Sequence, residues 1–115
     1  MLSLDDVQAA RDRVAETTRQ TPLEYSHTFS AMTGAAVHLK LELFQRTGSF
    51  KLRGATNRIA TLSPDQRADG VVTASAGNHA QGVALAASGT GVDATIVMPE
   101  NAPISKVKAT RSYGG

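Results

Sequence analysis

Cysteine is absent from all 115 residues, which rules out disulfides, thiolate metal sites and a cysteine nucleophile. Tryptophan is absent too, and aromatic residues make up only 4% of the chain. That is too few to build a base-stacking platform for single-stranded nucleic acid. No apolar run approaches the length that spans a bilayer. The opening MLSLDDVQAARDRV carries acids early and has no uninterrupted apolar stretch, so it does not read as a secretory signal. Neither sign of charge dominates: 12 Lys and Arg stand against 10 Asp and Glu, a net charge of +2. No block of like charge marks a nucleic-acid or membrane surface. The three histidines, His27, His38 and His79, lack metal-ligand spacing, and no metal is expected. What remains is a soluble, cytoplasmic protein, 41% apolar and long enough for one hydrophobic core.

The residues present are organised by period. Ser3-Leu4-Asp5-Asp6 reads as an N-cap with acids in the first turn, and Leu4, Val7, Ala10 and Val14 follow at helical spacing, so a helix is expected to fade near Arg19. Thr21-Pro22 breaks it. PLEYSHTFSAMTGA is expected to be irregular or weakly extended. In AVHLKLELF, Val37, Leu39, Leu41 and Leu43 alternate with His38, Lys40 and Glu42, which predicts a strand through Leu43. After the turn Thr47-Gly48-Ser49, the spacing of Leu52, Ala55, Ile59 and Leu62 predicts a helix. Ser63-Pro64-Asp65-Gln66 is a capping box with proline at the first helical position. From Gly70 onward the order strand (Val71–Thr73), helix (Ala80–Ala87), strand (ATIVM), helix (Ile104–Tyr113) predicts an α/β fold with parallel βαβ units.

Two strand-to-helix turns can carry chemistry. Ser75-Ala76-Gly77-Asn78-His79 opens a helix, and its backbone N–H groups form an anion cradle for a carboxylate or phosphate. The same residues also suit an ordinary capped helix, with Ser75 or Asn78 as cap. In RTGSFKLRGA, Lys51 sits between Phe50 and Leu52 at a helix start. It reads either as a solvated lysine with its stem on apolar neighbours or as an amine that forms a Schiff base, favoured as the neutral form by the helix N-terminus and apolar surroundings. No G-x-G-x-x-G is present, and GNHAQG is not followed by Lys-Ser/Thr, so dinucleotide and P-loop readings fail.

KLELFQRTGSFKLRGA resembles the pyridoxal-phosphate attachment segment of the serine/threonine dehydratase family, and TASAGNHAQGVALAA resembles the companion asparagine loop. The likeness continues through ATIVMPENAPISKVKATRSYG. It implies the tryptophan-synthase-β-like fold of type II pyridoxal-phosphate enzymes, in truncated form. It further implies β-elimination of L-threonine, and of L-serine, to a 2-oxo acid and ammonia. By this resemblance Lys51 holds the cofactor and serves as base, with Ser49 and Phe50 setting it up. Asn78 bonds the cofactor's ring hydroxyl, and Ser75, Ala76, Gly77, Asn78 and His79 grip the substrate carboxylate. Racemases of the family carry a second serine in the loop where this chain has Ala76, so dehydration is implied over racemisation. The family's glycine-rich phosphate loop lies beyond residue 115. The chain is therefore expected to be an N-terminal fragment, with 1–50 a piece of the large domain and 51–115 an incomplete small domain. The full-length form is expected to be a homo-oligomer. A non-catalytic remnant that pairs through open sheet edges is the reading outside enzymology.

Overall fold

The computed structural model describes all 115 residues. The chain begins with helix α1, Leu4–Val14, capped by a box in which the Ser3 hydroxyl accepts from the Asp6 N–H and the Asp6 carboxylate accepts from the Ser3 N–H. The Ser3 N–H and the Ser3 hydroxyl both donate to the Asp6 carboxylate and hold its pKa below the ordinary value. Only Val14 of the expected apolar stripe is buried, and Leu4 and Val7 stay exposed.

Strands β1, Leu23–Tyr25, and β2, His38–Lys40, pair antiparallel with Leu23 opposite Lys40. The strand expected to run through Leu43 stops at Lys40, and Glu42–Phe44 is a 3-10 turn. The partner explains the early end. The last rung is the Leu41 N–H donating to Pro22 O at 3.0 Å, and Pro22 has no N–H to return. Between the two strands, where an irregular link was expected, lies helix α2, His27–Thr33. Ser26 caps it by accepting from the Phe29 N–H, and Gly34 closes it at φ 71°, a left-handed conformation in which glycine pays no steric penalty.

Helix α3, Lys51–Ala60, and helix α4, Pro64–Asp69, follow, and α4 starts with the predicted Ser63/Gln66 box. Strand β3, Val71–Ala74, helix α5, Asn78–Ser88, and strand β4, Ala94–Val97, form one parallel βαβ unit with Val71 opposite Ala94. Helix α6, Ile104–Ser112, completes the chain. The apolar stripes of α3 and α5 face each other: Leu52, Ala55 and Ile59 meet Val83, Ala86 and Ala87, with Val92 closing the cluster. Five of these seven residues are alanine or valine, so the two helices pack closely. The accessible surface is 7685 Å², above the ~6000 Å² typical of a monomer of this mass. The excess includes apolar surface: Val72 and Val97 on the outer sheet face are exposed.

Candidate active site

Lys51 is placed by what surrounds it in sequence. Gly48 takes φ 71° and its N–H donates to Gln45 O at 2.8 Å, which turns the chain sharply before the helix. Thr47 and Ser49 on either side are buried, and their hydroxyls have no partner. Phe50 and Leu52 then go opposite ways. Leu52 is fully buried, whereas Phe50 is 61% exposed. Lys51 is exposed between them, with its Nζ 5.2 Å from the centroid of the Phe50 ring. Of the two settings read from the sequence, the structure shows the solvent-facing one, and the amine is open to a solute.

Helix α5, which the second turn opens, meets the start of α3 at one glycine. A Cβ on Gly82 of α5 would lie 3.1 Å from the Leu52 nitrogen, 3.1 Å from the Lys51 carbonyl carbon and 3.2 Å from the Lys51 carbonyl oxygen. Glycine lets α5 come this close without strain, since a Cβ would push the peptide that follows the lysine away by a few tenths of an ångström. At the head of α5, the Ser75 Oγ accepts from the Gly77 and Ala80 N–H groups at 3.2 and 3.3 Å, so Ser75 does the capping work and Asn78 leaves its side chain free. The N–H groups of Ala76, Asn78 and His79 meet no acceptor of the chain. Nothing lies within 4 Å of the position a Cβ on Gly77 would take. Asn78 and His79 are exposed, while Ser75, Ala76 and Gly77 are half-buried.

A groove of about 510 Å³ runs between α3, β3 and the start of α5, lined by Phe50, Lys51, Thr73, His79 and Val83 among others. Lys51, Phe50 and His79 thus share one cavity; Ser75 to Asn78 lie outside its lining. These residues fit pyridoxal phosphate at one point, where a solvent-facing primary amine can take its aldehyde. The turn with unpartnered N–H groups and open space can take a separate anionic group such as a carboxylate. No three His, Asp or Glu side chains converge anywhere in the chain.

Sequence reasoning missed the pair beneath the lysine. Arg53 Nε donates to Glu42 Oε2 at 2.9 Å and its terminal nitrogen to Glu42 Oε1 at 2.8 Å. The same guanidinium donates to Arg19 O at 3.0 Å, and the Thr21 hydroxyl donates to Glu42. Glu42 was expected to point to solvent from a strand; it turns inward because the strand has ended. The hydrogen bond from Arg53 is the largest reason its pKa falls from an ordinary 4.5 to about 2, against the opposing effect of burial, and the same bond raises the Arg53 pKa. Two opposite charges eleven residues apart give no local periodic signal.

The fold and the two turns define a class of protein, an α/β chain with an exposed lysine amine at one helix start and unpartnered N–H groups at the start of the helix packed against it. Residues 14–115 match the family described as pyridoxal-phosphate dependent enzyme, and the chain belongs to that family. It is 53% identical over 114 residues to the L-threonine ammonia-lyase of Thermotoga maritima, and 54% identical over 115 residues to the catabolic L-threonine dehydratase of Staphylococcus aureus. These alignments cover 99% of this chain but 28% and 33% of the relatives, so the chain spans about a third of their length. The structure of maize serine racemase superposes with a TM-score of 0.88 at 46% identity, over 98% of this chain and 34% of that one. The mixed α/β arrangement with parallel strands is that of these type II pyridoxal-phosphate enzymes. No helix is long and apolar enough to cross a membrane.

Proposed function

We propose that this chain supplies the cofactor lysine and the substrate-carboxylate loop of a threonine dehydratase, which converts L-threonine, and L-serine, to a 2-oxo acid and ammonia. The observation that carries the reading is the contact at Gly82, which packs the helix that the asparagine loop opens against the backbone of the lysine. Pyridoxal phosphate, when bound, supplies an electron sink for the α-carbon of the substrate. Lys51 would hold the cofactor through its amine, and the same amine is the base available for the α-proton. The Asn78 amide donates to the cofactor's ring hydroxyl. The N–H groups of Ala76, Asn78 and His79 hold the substrate carboxylate, assisted by the positive end of α5. Phe50 borders the lysine and shields one side of the groove. Residues 1–50 belong to a large domain and 51–115 to a smaller one, and the complete protein works as a cytoplasmic homo-oligomer.

The likeness to maize serine racemase supports a second reading, racemisation of serine. The loop counts against it. Ala76 ends in a methyl group, which cannot carry a proton to the opposite face of the α-carbon.

A chimera tests the proposal. Residues 1–115 replace the matching segment of the Thermotoga maritima ammonia-lyase, and ammonia release from L-threonine is followed. The chimera is expected to deaminate threonine, and Lys51→Ala is expected to abolish it. A folded chimera whose activity survives Lys51→Ala would sink the assignment of the lysine.

A further inference from the structure

We propose that Glu42 and Arg53 are positioning residues for Lys51, an inference that rests on the cofactor-lysine reading above. Arg53 stands two residues after Lys51 in the same first turn of α3. Its guanidinium makes a two-point contact with the Glu42 carboxylate and a third bond to Arg19 O. Glu42 is 14% exposed and Arg53 33% exposed at the side chain.

The ground to which Arg53 is tied is itself braced. Gln45 accepts from the Arg19 N–H at 2.8 Å and donates to Arg19 O at 3.0 Å, and Arg46 donates to Thr17 O at 3.0 Å. Segment 42–46 is thereby laced to segment 17–21. On the other side, Leu52 is buried where α5 approaches at Gly82. Lys51 therefore sits one residue before an apolar anchor and two before an ionic one. Its backbone is fixed in direction while its side chain stays free.

An apolar pair would hold two segments together as well as a partly buried ion pair does, because desolvation offsets most of the Coulomb gain. What a planar guanidinium on a carboxylate adds is a defined angle and distance. A reacting amine needs that, since a displacement of about 1 Å costs on the order of a hundredfold in rate.

The 115-residue chain carries four lysines, Lys40, Lys51, Lys106 and Lys108, so three of them serve as internal controls. The chain is incubated with pyridoxal phosphate and reduced with borohydride, and the label on each lysine is measured by peptide mass mapping. Amide hydrogen exchange is recorded in parallel without cofactor. Arg53→Met is expected to lower the labelling rate of Lys51 relative to the three control lysines about tenfold and to speed exchange over residues 50–54, leaving exchange in α5 and β4 unchanged. Arg53→Lys keeps the charge and is expected to restore part of that relative rate. Glu42→Gln keeps the side-chain size and is the second variant should Arg53→Met fold poorly; its relative Lys51 rate is expected to fall in the same direction. An unchanged relative Lys51 rate with unchanged exchange in both variants overturns the proposal, as does a parallel loss at all four lysines with collapse of the whole exchange pattern. If the unsubstituted chain labels its lysines indiscriminately, these 115 residues alone do not shape the cofactor site, and the cofactor-lysine reading is decided by the chimera. The positioning role is then decided by exchange: selective opening of residues 50–54 supports it and no opening refutes it.

Discussion

Helices α3 and α5 each carry an interior glycine, and the structure predicts opposite signs for replacing them by alanine. Gly54 in α3 has nothing within 4 Å of a built Cβ. There Gly54→Ala collects the full helix-propensity gain, about 0.5–1 kcal/mol. Gly82 in α5 gains the same propensity, but its Cβ meets three backbone atoms at 3.1–3.2 Å. Those atoms belong to the Lys51–Leu52 peptide, which cannot rotate away as a flexible side chain would. Leu52 beside it is fully buried. Overpacking at such a contact costs typically 1–3 kcal/mol. The net for Gly82→Ala is then a destabilisation of about 1 kcal/mol, so the two substitutions should differ by about 2 kcal/mol. Urea titration followed by far-ultraviolet circular dichroism measures both, with the slope checked for constancy. If Gly82→Ala stabilises the chain as much as Gly54→Ala, the two helices are not in backbone contact and the link between the two turns is wrong.

Leu52→Ala should cost about 2–5 kcal/mol, because the side chain is wholly enclosed and the space cannot refill without moving α5; the same titration measures it. Ser75→Ala removes the acceptor for the Gly77 and Ala80 N–H groups and should cost about 1 kcal/mol, with faster hydrogen exchange confined to the start of α5. Glu42 has a folded pKa of about 2 against an ordinary 4.5, so the unfolded chain takes up its proton first as pH falls. Its stabilisation is complete above pH ~5 and is lost between pH ~4.5 and ~2, by at most ~3 kcal/mol. A third of Arg53 lies in solvent, which reduces this to about 1–2 kcal/mol. Stability measured across that window should decline less steeply in Glu42→Gln; an identical slope would mean the pair contributes nothing.

Much of the second half of the fold was legible because each element there is announced twice. The Leu52, Ala55, Ile59 stripe lies between a glycine turn and a capping box, and Val71–Ala74 and Ala94–Val97 are apolar runs set off by glycines. The first half was harder for physical reasons. Helix α2 has no apolar period, and its evidence is its two caps, Ser26 and Gly34. The strand through Leu43 obeyed alternation, but pairing depends on a partner, and Pro22 ends the ladder at Leu41. The Lys51 and Ser75–His79 turns were legible as turns, since glycine placement and period mark them. That α5 meets the Lys51–Leu52 peptide at Gly82, and that Arg53 reaches Glu42, depends on packing between distant segments that no local pattern encodes.

The central claim is that Lys51 is the amine that takes up pyridoxal phosphate. Mass mapping of the borohydride-reduced adduct on the chimera, which carries residues 1–115 in the Thermotoga maritima ammonia-lyase, tests it directly. The account predicts label concentrated on Lys51, with that label absent and not redistributed in Lys51→Ala. Label spread evenly over Lys40, Lys51, Lys106 and Lys108 would contradict it.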